Sequence, residues 1–422
     1  MTSRQPIWVT GIGVVTACGI GRDDFRAGLR AARSPIRRID RFDPSAFRSQ
    51  VAAQVDAFDP AAFMDPRSVR ALDRFSQFGV AAGRLALDDA GLTPGRNGHA
   101  HPERIGVYLG SALGGVAFAE EQHVRYLERG IRSVSPTLAL AVFGGAAPAN
   151  LGISLGLHGP ILSTANSCAS GAVALGEALG ALRAGEIDAA LGGGAECSLS
   201  PLAFGAFDII RALADGHNGE PAAACRPFDA DRSGFVLGEG AALLVLETRE
   251  AAERRGAVPY AELRGYAATS DAHHMVQPRP DGVDAARAIT LALADAADEA
   301  ESIDYVNAHA SSTPLGDRAE ARAIALGLGS RAADVPVSGT KALYGHPLGA
   351  TGAIEAAIAV LAIRDGWAPA SVNLAVPDAA IATLLPSLIR DPAGLDGEYR
   401  RVLSTSFGFG GLNAALVLGA PA

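Results

Sequence analysis

Charge is scarce in this chain. Fewer than a fifth of its 422 residues are Asp, Glu, Lys or Arg, and the balance is acidic, −9 net. That argues against nucleic acid as the main partner, because a phosphate backbone is met by clustered positive charge. Cysteine is scarce too: Cys18, Cys168, Cys197 and Cys225 lie far apart, with no CxxC and no Cys/His pairing at zinc spacing. A disulfide framework and a structural metal are both excluded by that pattern, and a reducing cytoplasm is the expected compartment. The opening MTSRQPIWVTGIGVV has one arginine and a short apolar run, and no signal-peptide cleavage pattern follows it. Residues 133–176 contain no Asp, Glu, Lys or Arg, yet Pro136, Pro148, Pro160 and many small polar residues suit a membrane span poorly. Buried core plus a subunit interface is the better reading, and no membrane contact is expected. Low-complexity tails and long flexible linkers are absent as well.

What the chain does have is apolar residues, about half of the total, and 50 glycines for tight turns and close backbone approaches. Apolar β-branched runs of strand length alternate with Ala-rich helical stretches, the rhythm of an α/β layered fold. Strands are expected at 7–16, 104–111, 160–166, 187–194, 241–247, 260–268, 303–308, 335–339, 401–406 and 414–418. Helices fit between them, as in RFSQFGVAAGRLALDDAG and SGAVALGEALGALRAG. The string LVLETREAAERRGAVPY reads as a seam, dividing the chain into halves at 1–255 and 256–422. Both halves share a strand-and-helix rhythm without a clear sequence repeat.

Four segments carry residues able to do chemistry. In LSTANSCASGAVALGEAL a strand ends in small polar residues, turns sharply at Cys168 and enters an Ala-rich helix. A thiol there feels the positive helix end and unpaired backbone N–H groups, which favour thiolate and can hold an oxyanion. Cys18, Cys197 and Cys225 have no such setting and read as core cysteines. In YVNAHASSTPLGDRAEARAI a strand delivers His309 into a loop of small hydroxyl residues, with Thr313 and Pro314 as helix N-cap and first helical residue. In VPVSGTKALYGHPLGATGAIEAAIAV, Lys341 and His346 precede a helix bearing Glu355. A lysine in so apolar a segment needs a partner, and Glu355 is the candidate. In LSTSFGFGGLNAALVL the run from Phe407 to Gly411 can set a backbone N–H and a movable phenyl ring beside a pocket.

Two motifs are decoys. Gly152-Ile153-Ser154-Leu155-Gly156 matches the hydrolase nucleophile elbow, but His158, Gly159 and Pro160 follow it as they would a helix end. GIGVVT lacks the third glycine of the dinucleotide fingerprint and the acidic residue that should follow. His273 and His274 beside Asp271 have no further ligand cluster and read as a polar loop.

Together the four segments resemble the elongating β-ketoacyl-ACP synthases (types I and II, closest to type II) of the thiolase superfamily. The likeness runs from VTGIGVVTACG through RPFDADRSGFVLGEGAALLVLE to SFGFGGLN. It implies the thiolase fold, two similar α/β halves in a five-layer α-β-α-β-α arrangement, and an acyltransferase. The family's Cys-His-His triad falls on Cys168, His309 and His346. Cys168 would take an acyl group from acyl carrier protein (ACP). The histidines would assist decarboxylation of malonyl-ACP, and condensation would release 3-oxoacyl-ACP. Lys341 with Glu355 would support the site electrostatically, and Phe409 would act as gate and lend its N–H to the oxyanion hole. Ser311 and Thr313, with Phe407, would lie along the phosphopantetheine arm. Leu113 and Phe204 would shape the acyl tunnel, and Arg67, Arg70, Arg132 and Arg211 would meet ACP.

No cofactor or metal is implied, since the pantetheine arrives on the ACP partner. A homodimer is implied, with a heterodimer with a related subunit as the alternative. The pathway is fatty acid synthesis, or else a type II polyketide or specialised lipid route with a chain-length-factor partner. A degradative thiolase would need a second catalytic cysteine beyond Cys225, the initiating type III enzymes use Cys-His-Asn, and chain-length factors typically lack the nucleophile. This chain departs from the family pattern at Ala310 in HASST, usually HGTST, and at Leu412 in GFGGLN, usually GFGGTN. It departs again at Val276, often threonine, and at Asn166-Ser167, less usual than Thr-Ala. These positions bear on substrate and ACP choice and leave the triad intact.

Overall fold

The computed structural model describes residues 5–421. Ten strands form its core: β1 Ile7–Thr16, β2 Ile105–Gly110, β3 Ile161–Thr164, β4 Ala189–Glu196, β5 Gly240–Thr248, β6 Ala261–Ser270, β7 Tyr305–Ala308, β8 Val337–Gly339, β9 Arg401–Gly408 and β10 Leu412–Gly419. Each expected strand is present, its ends within two residues of those read from the sequence.

Strand order reveals a duplication. The first half runs β3-β2-β4-β5-β1 and the second β8-β7-β9-β10-β6. In both, the third, second and fourth strands of the half are parallel, and the fifth and first join antiparallel. The halves meet where Trp8 and Val9 of β1 pair with Glu262 and Ala261 of β6.

Helices complete five layers. On the outside of the first half lie α1 (Arg74–Ala90) and α2 (Ala146–Leu155); α3 (Ser170–Arg183) lies inside. On the outside of the second half lie α4 (Val283–Ala296) and α5 (Pro314–Leu328), with α6 (Thr351–Asp365) inside, against α3. This is the two-half, five-layer thiolase architecture. Residues Thr351–Ala362 of α6 are all buried, which explains a helix apolar on every face. Strands covered on both sides likewise read as continuous apolar runs, as in the wholly buried β1 and β5. Close packing needs small residues: a Cβ on Gly13 of β1 would sit 1.9 Å from the Ala82 carbonyl oxygen of α1.

The hydrolase-like serine, Ser154, lies one residue before α2 ends at Leu155 and so opens no helix. Among the described residues, no helix is long and apolar enough to cross a membrane.

Candidate functional site

Strand ends from both halves converge on one buried point. Beyond β3, a single tight turn, Ser167–Ala169, sets Cys168 at the entrance to α3. From the second half come His309 just past β7, Lys341 and His346 in the loop between β8 and α6, and Phe409 in the turn joining β9 to β10. That turn is tight because Gly410 and Gly411 hold φ of 84° and 67°, and a Cβ on Gly411 would meet Asp271 Cβ at 2.5 Å.

His346 Nε2 is 3.2 Å from Cys168 Sγ, and the His309 ring stands edge-on to His346 at a centroid distance of 5.2 Å. Burial, Lys341 and (for His309) His346 hold both imidazoles well below the usual histidine range, so both are neutral. Burial pushes the Cys168 thiol up to about 11, with the Ser167 hydroxyl, Lys341 and the Phe409 N–H pulling the other way. The resting pair is therefore a thiol and a neutral imidazole, and Sγ–H donates to Nε2. Nδ1 of His346 then carries the ring proton and donates to Thr351 Oγ1 at 2.8 Å.

His309 is held the other way round. Lys341 Nζ donates to its Nδ1 at 3.3 Å and also to its backbone carbonyl oxygen, which leaves the proton on Nε2. Lys341 is the only lysine in the chain, and it is completely buried. Its ammonium also donates to Glu355 Oε1, the pairing expected from the sequence. Burial pushes the Glu355 carboxyl up to about 8 against the pull of Lys341. Nitrogen and sulfur donors of the triad lie within 4.8 Å of one another, close enough to suggest a metal. Lys341 opposes that use, because an ammonium on Nδ1 leaves Nε2 protonated and without a lone pair to give.

A cavity of about 340 Å³ leads from this point to the surface. Ser311, Thr313, Val276 and Phe407 line it, and Arg211 stands exposed at its mouth. Ser311 and Thr313 share a hydroxyl contact of 3.0 Å, and Thr313 caps α5 through the N–H of Gly316. Phe409 lies half-buried in the wall, stacked over Phe207 at 6.2 Å and tilted to Phe235 at 6.4 Å.

Other expected residues lie away from this channel. Phe204 is fully buried, edge-on to Phe42 and Phe47, in the apolar cluster that also contains Cys168. Leu113 is 37% exposed and outside the channel lining. Arg67, Arg70 and Arg132 are exposed and apart from the mouth, and among the described residues none makes an ion pair. His274 turns inward on its own loop, its Nδ1 accepting from the N–H of Val276.

Two supports were not anticipated from the sequence. Glu320 of α5 accepts the N–H groups of His309 and Ala310 and the Thr405 hydroxyl, so it holds the His309 loop by three donors. Asp317, one turn earlier, accepts the Ser312 and Phe228 N–H groups and pairs with Arg232. The signal was present: two acids three apart in GDRAEA, on the helix directly after the loop. Thr351, which bonds His346 Nδ1, had no comparable signal.

Comparison with known proteins identifies the family. The family described as Beta-ketoacyl synthase, N-terminal domain, matches residues 4–252, and Beta-ketoacyl synthase, C-terminal domain, matches 260–375. The 3-oxoacyl-[acyl-carrier-protein] synthase 2 of Coxiella burnetii is 39% identical over 416 residues, 98% of each chain. The tetracenomycin polyketide synthase ketoacyl synthase alpha subunit of Streptomyces glaucescens is 40% identical over 426 residues, 99% of this chain and 98% of that one. Among solved structures, the ishigamide ketosynthase/chain length factor superposes with a TM-score of 0.91 at 33% identity, covering 100% of both chains. A type II polyketide acyl-carrier protein in complex with its ketosynthase bound to the hexaketide gives 0.90 at 30%, covering 99% of this chain and 100% of that one. Matched by both domain models and by relatives along nearly its whole length, the chain belongs to the beta-ketoacyl synthase family.

Proposed function

We propose that the chain is a β-ketoacyl-ACP synthase, in which Cys168 carries the growing acyl group and His309 and His346 activate malonyl-ACP. The observation that carries this reading is the 3.2 Å contact between Cys168 Sγ and His346 Nε2, with His309 alongside. In the first stage Sγ attacks the acyl thioester of ACP and its proton passes to His346 Nε2. The departing carrier thiolate takes that proton, which leaves acyl-Cys168 and a neutral His346. With sulfur acylated, His346 no longer has a thiol to accept from. Exchange with solvent through the cavity then removes the Nδ1 proton and adds one at Nε2, and the Thr351 hydroxyl turns to donate to Nδ1.

Both imidazoles then present Nε2–H to the malonyl thioester oxygen. Carbon dioxide leaves, its bonding electrons become the enolate, and the two N–H groups hold the enolate oxygen. The enolate carbon attacks the acyl-Cys168 carbonyl, whose oxygen is received by the backbone N–H groups of Cys168 and Phe409. Collapse breaks the C–S bond and releases 3-oxoacyl-ACP. The Cys168 thiolate recovers one proton from solvent, which balances the cycle. Lys341, donating to Glu355, fixes the His309 tautomer and, together with burial, keeps both rings neutral.

The pantetheine arm enters past Ser311, Thr313 and Phe407, with ACP meeting Arg211 at the mouth and reaching Arg67, Arg70 and Arg132 on the surface away from it. Leu113 and Phe204 border the acyl chain. A cytoplasmic home agrees with four unpaired cysteines. The halves divide near 255, where the helix Arg249–Arg254 leads away from β5. Fatty acid synthesis is the first reading of the pathway. Type II polyketide synthesis with a chain-length-factor partner is the second, favoured by relatives of near-equal identity from both pathways.

The test is intact-protein mass spectrometry with a panel of acyl-ACPs, followed by malonyl-ACP. An acyl adduct on Cys168, absent in Cys168→Ala and discharged as 3-oxoacyl-ACP, is the expected result. An adduct on any other residue would remove Cys168 from its role.

A further inference from the structure

Ser167, immediately before the nucleophile, has no step of the proposed reaction assigned to it. It is one of the few non-glycine residues with positive φ, 53°, a conformation that costs a side-chain-bearing residue on the order of 1 kcal/mol. The turn is locked in that shape from both sides. Ser170 Oγ donates to the Ser167 carbonyl at 2.6 Å and accepts the Asn166 N–H at 2.8 Å, while Thr164 Oγ1 donates to the Ser170 carbonyl at 2.8 Å. Across the turn, a Cβ on Gly408 would sit 3.2 Å from Ser167 Cβ, so β9 closes the other side.

The side chain so placed is half-buried and has one partner. Its Oγ lies 3.8 Å from Cys168 Sγ, and it makes no other hydrogen bond among the described residues. A hydroxyl without a competing acceptor, held beside a sulfur that must become an anion, is free to donate when charge appears there. Hydrogen bonds to an ionised acceptor are roughly twice as strong as neutral ones, so the donation favours the thiolate over the thiol.

We propose that Ser167 is a positioning residue for the acyl-transfer step, its hydroxyl donating to the Cys168 thiolate as the thiol proton moves to His346. The hydroxyl thereby supplies the sulfur with a second partner besides the imidazole. Burial, which raises the thiol, is the force it works against. The proposal rests on Cys168 being the nucleophile. It concerns loading of that sulfur and leaves malonyl decarboxylation, which the histidines govern, outside its reach.

The test is the rate of alkylation of Cys168 by iodoacetamide from pH 6 to 11, read by mass spectrometry of the Cys168 peptide, in wild type, Ser167→Ala and Ser167→Gly. Losing one donor to the thiolate should raise the apparent thiol pKa by about one unit. That lowers the thiolate fraction at neutral pH about tenfold. The more basic thiolate is intrinsically about threefold more nucleophilic, so alkylation slows about threefold. Ala keeps the strained backbone and Gly relieves it, yet both lack the hydroxyl, so both variants should shift alike. Profiles identical to wild type would overturn the proposal. So would a shift in Gly alone, because relief of the strained backbone would then be the cause. Acyl-ACP loading, measured on the same samples, separates the two ideas. A protein that no acyl-ACP loads would sink the synthase reading, whatever alkylation shows about Ser167.

Discussion

At the scale of single residues, the two histidines have similar burial and opposite hydrogen-bonding roles, and the difference lies in what touches Nδ1. An ammonium there makes His309 a fixed Nε2–H donor, whereas a hydroxyl on His346 lets the proton reside on either nitrogen. His309 is therefore suited to holding an enolate and unsuited to accepting the thiol proton. His309→Ala should reduce malonyl-ACP decarboxylation by at least a hundredfold while acylation of Cys168 survives, as one donor to a developing oxyanion contributes a factor of about 10² to 10³. Carbon dioxide release and acyl-enzyme mass, measured on one preparation, check both halves. Wild-type decarboxylation in the variant would take His309 out of the mechanism. Ala310 and Ser312 hold φ of 38° and 69° in the same loop, so alanine at 310 is accommodated at some strain.

At the scale of elements, α5 does more than cover the second half of the sheet. It supplies Glu320 to the His309 loop, and burial pushes that carboxyl up to about 7, with the Ala310 N–H and Thr405 hydroxyl opposing. Its three donors all require an acceptor, so the ionised form is the one that fits the loop. Activity should therefore fall as pH drops through about 7, where protonation turns one oxygen into a donor facing a donor. Stability moves in the opposite sense. A carboxyl raised in the folded state binds more protons there than when unfolded, so its contribution is fullest below the unfolded value of 4.5 and lost as pH rises through about 7. Glu320→Gln places an amide donor against those N–H groups permanently. It should lower decarboxylation at every pH and abolish the limb near 7 in the pH–rate profile. A limb that persists in the variant would assign that titration to another group.

At the scale of the whole molecule, one face is conspicuously uncovered. β3 lies at the end of the sheet, with Ile161 45% and Leu162 40% exposed, and Leu140, Phe143 and Ile153 are exposed in the charge-poor stretch around it. An apolar sheet edge of this kind is ordinarily covered, and a second copy or a related subunit is the cover consistent with the proposed dimer. Leu162→Lys should shift the protein from dimer to monomer in analytical ultracentrifugation. A dimer undisturbed by the charge would place the interface elsewhere.

The sequence alone determined most of the fold, because strands covered on both faces must be continuously apolar and the helices between them small-residue rich. It also determined the main chemical groups, since a thiol at a strand-to-helix turn and a lysine in an apolar loop each demand a particular environment. The Lys341–Glu355 pair was legible for that reason: an ammonium with no access to water needs an anion within reach. The support of His309 by Glu320 and the opposite tautomers of the two histidines were decided only by tertiary structure. So was the confinement of the Ser167 hydroxyl to the Cys168 sulfur. Each depends on which atom of a neighbouring element lies within hydrogen-bonding distance, and that is set by how the layers pack rather than by any local pattern in the chain.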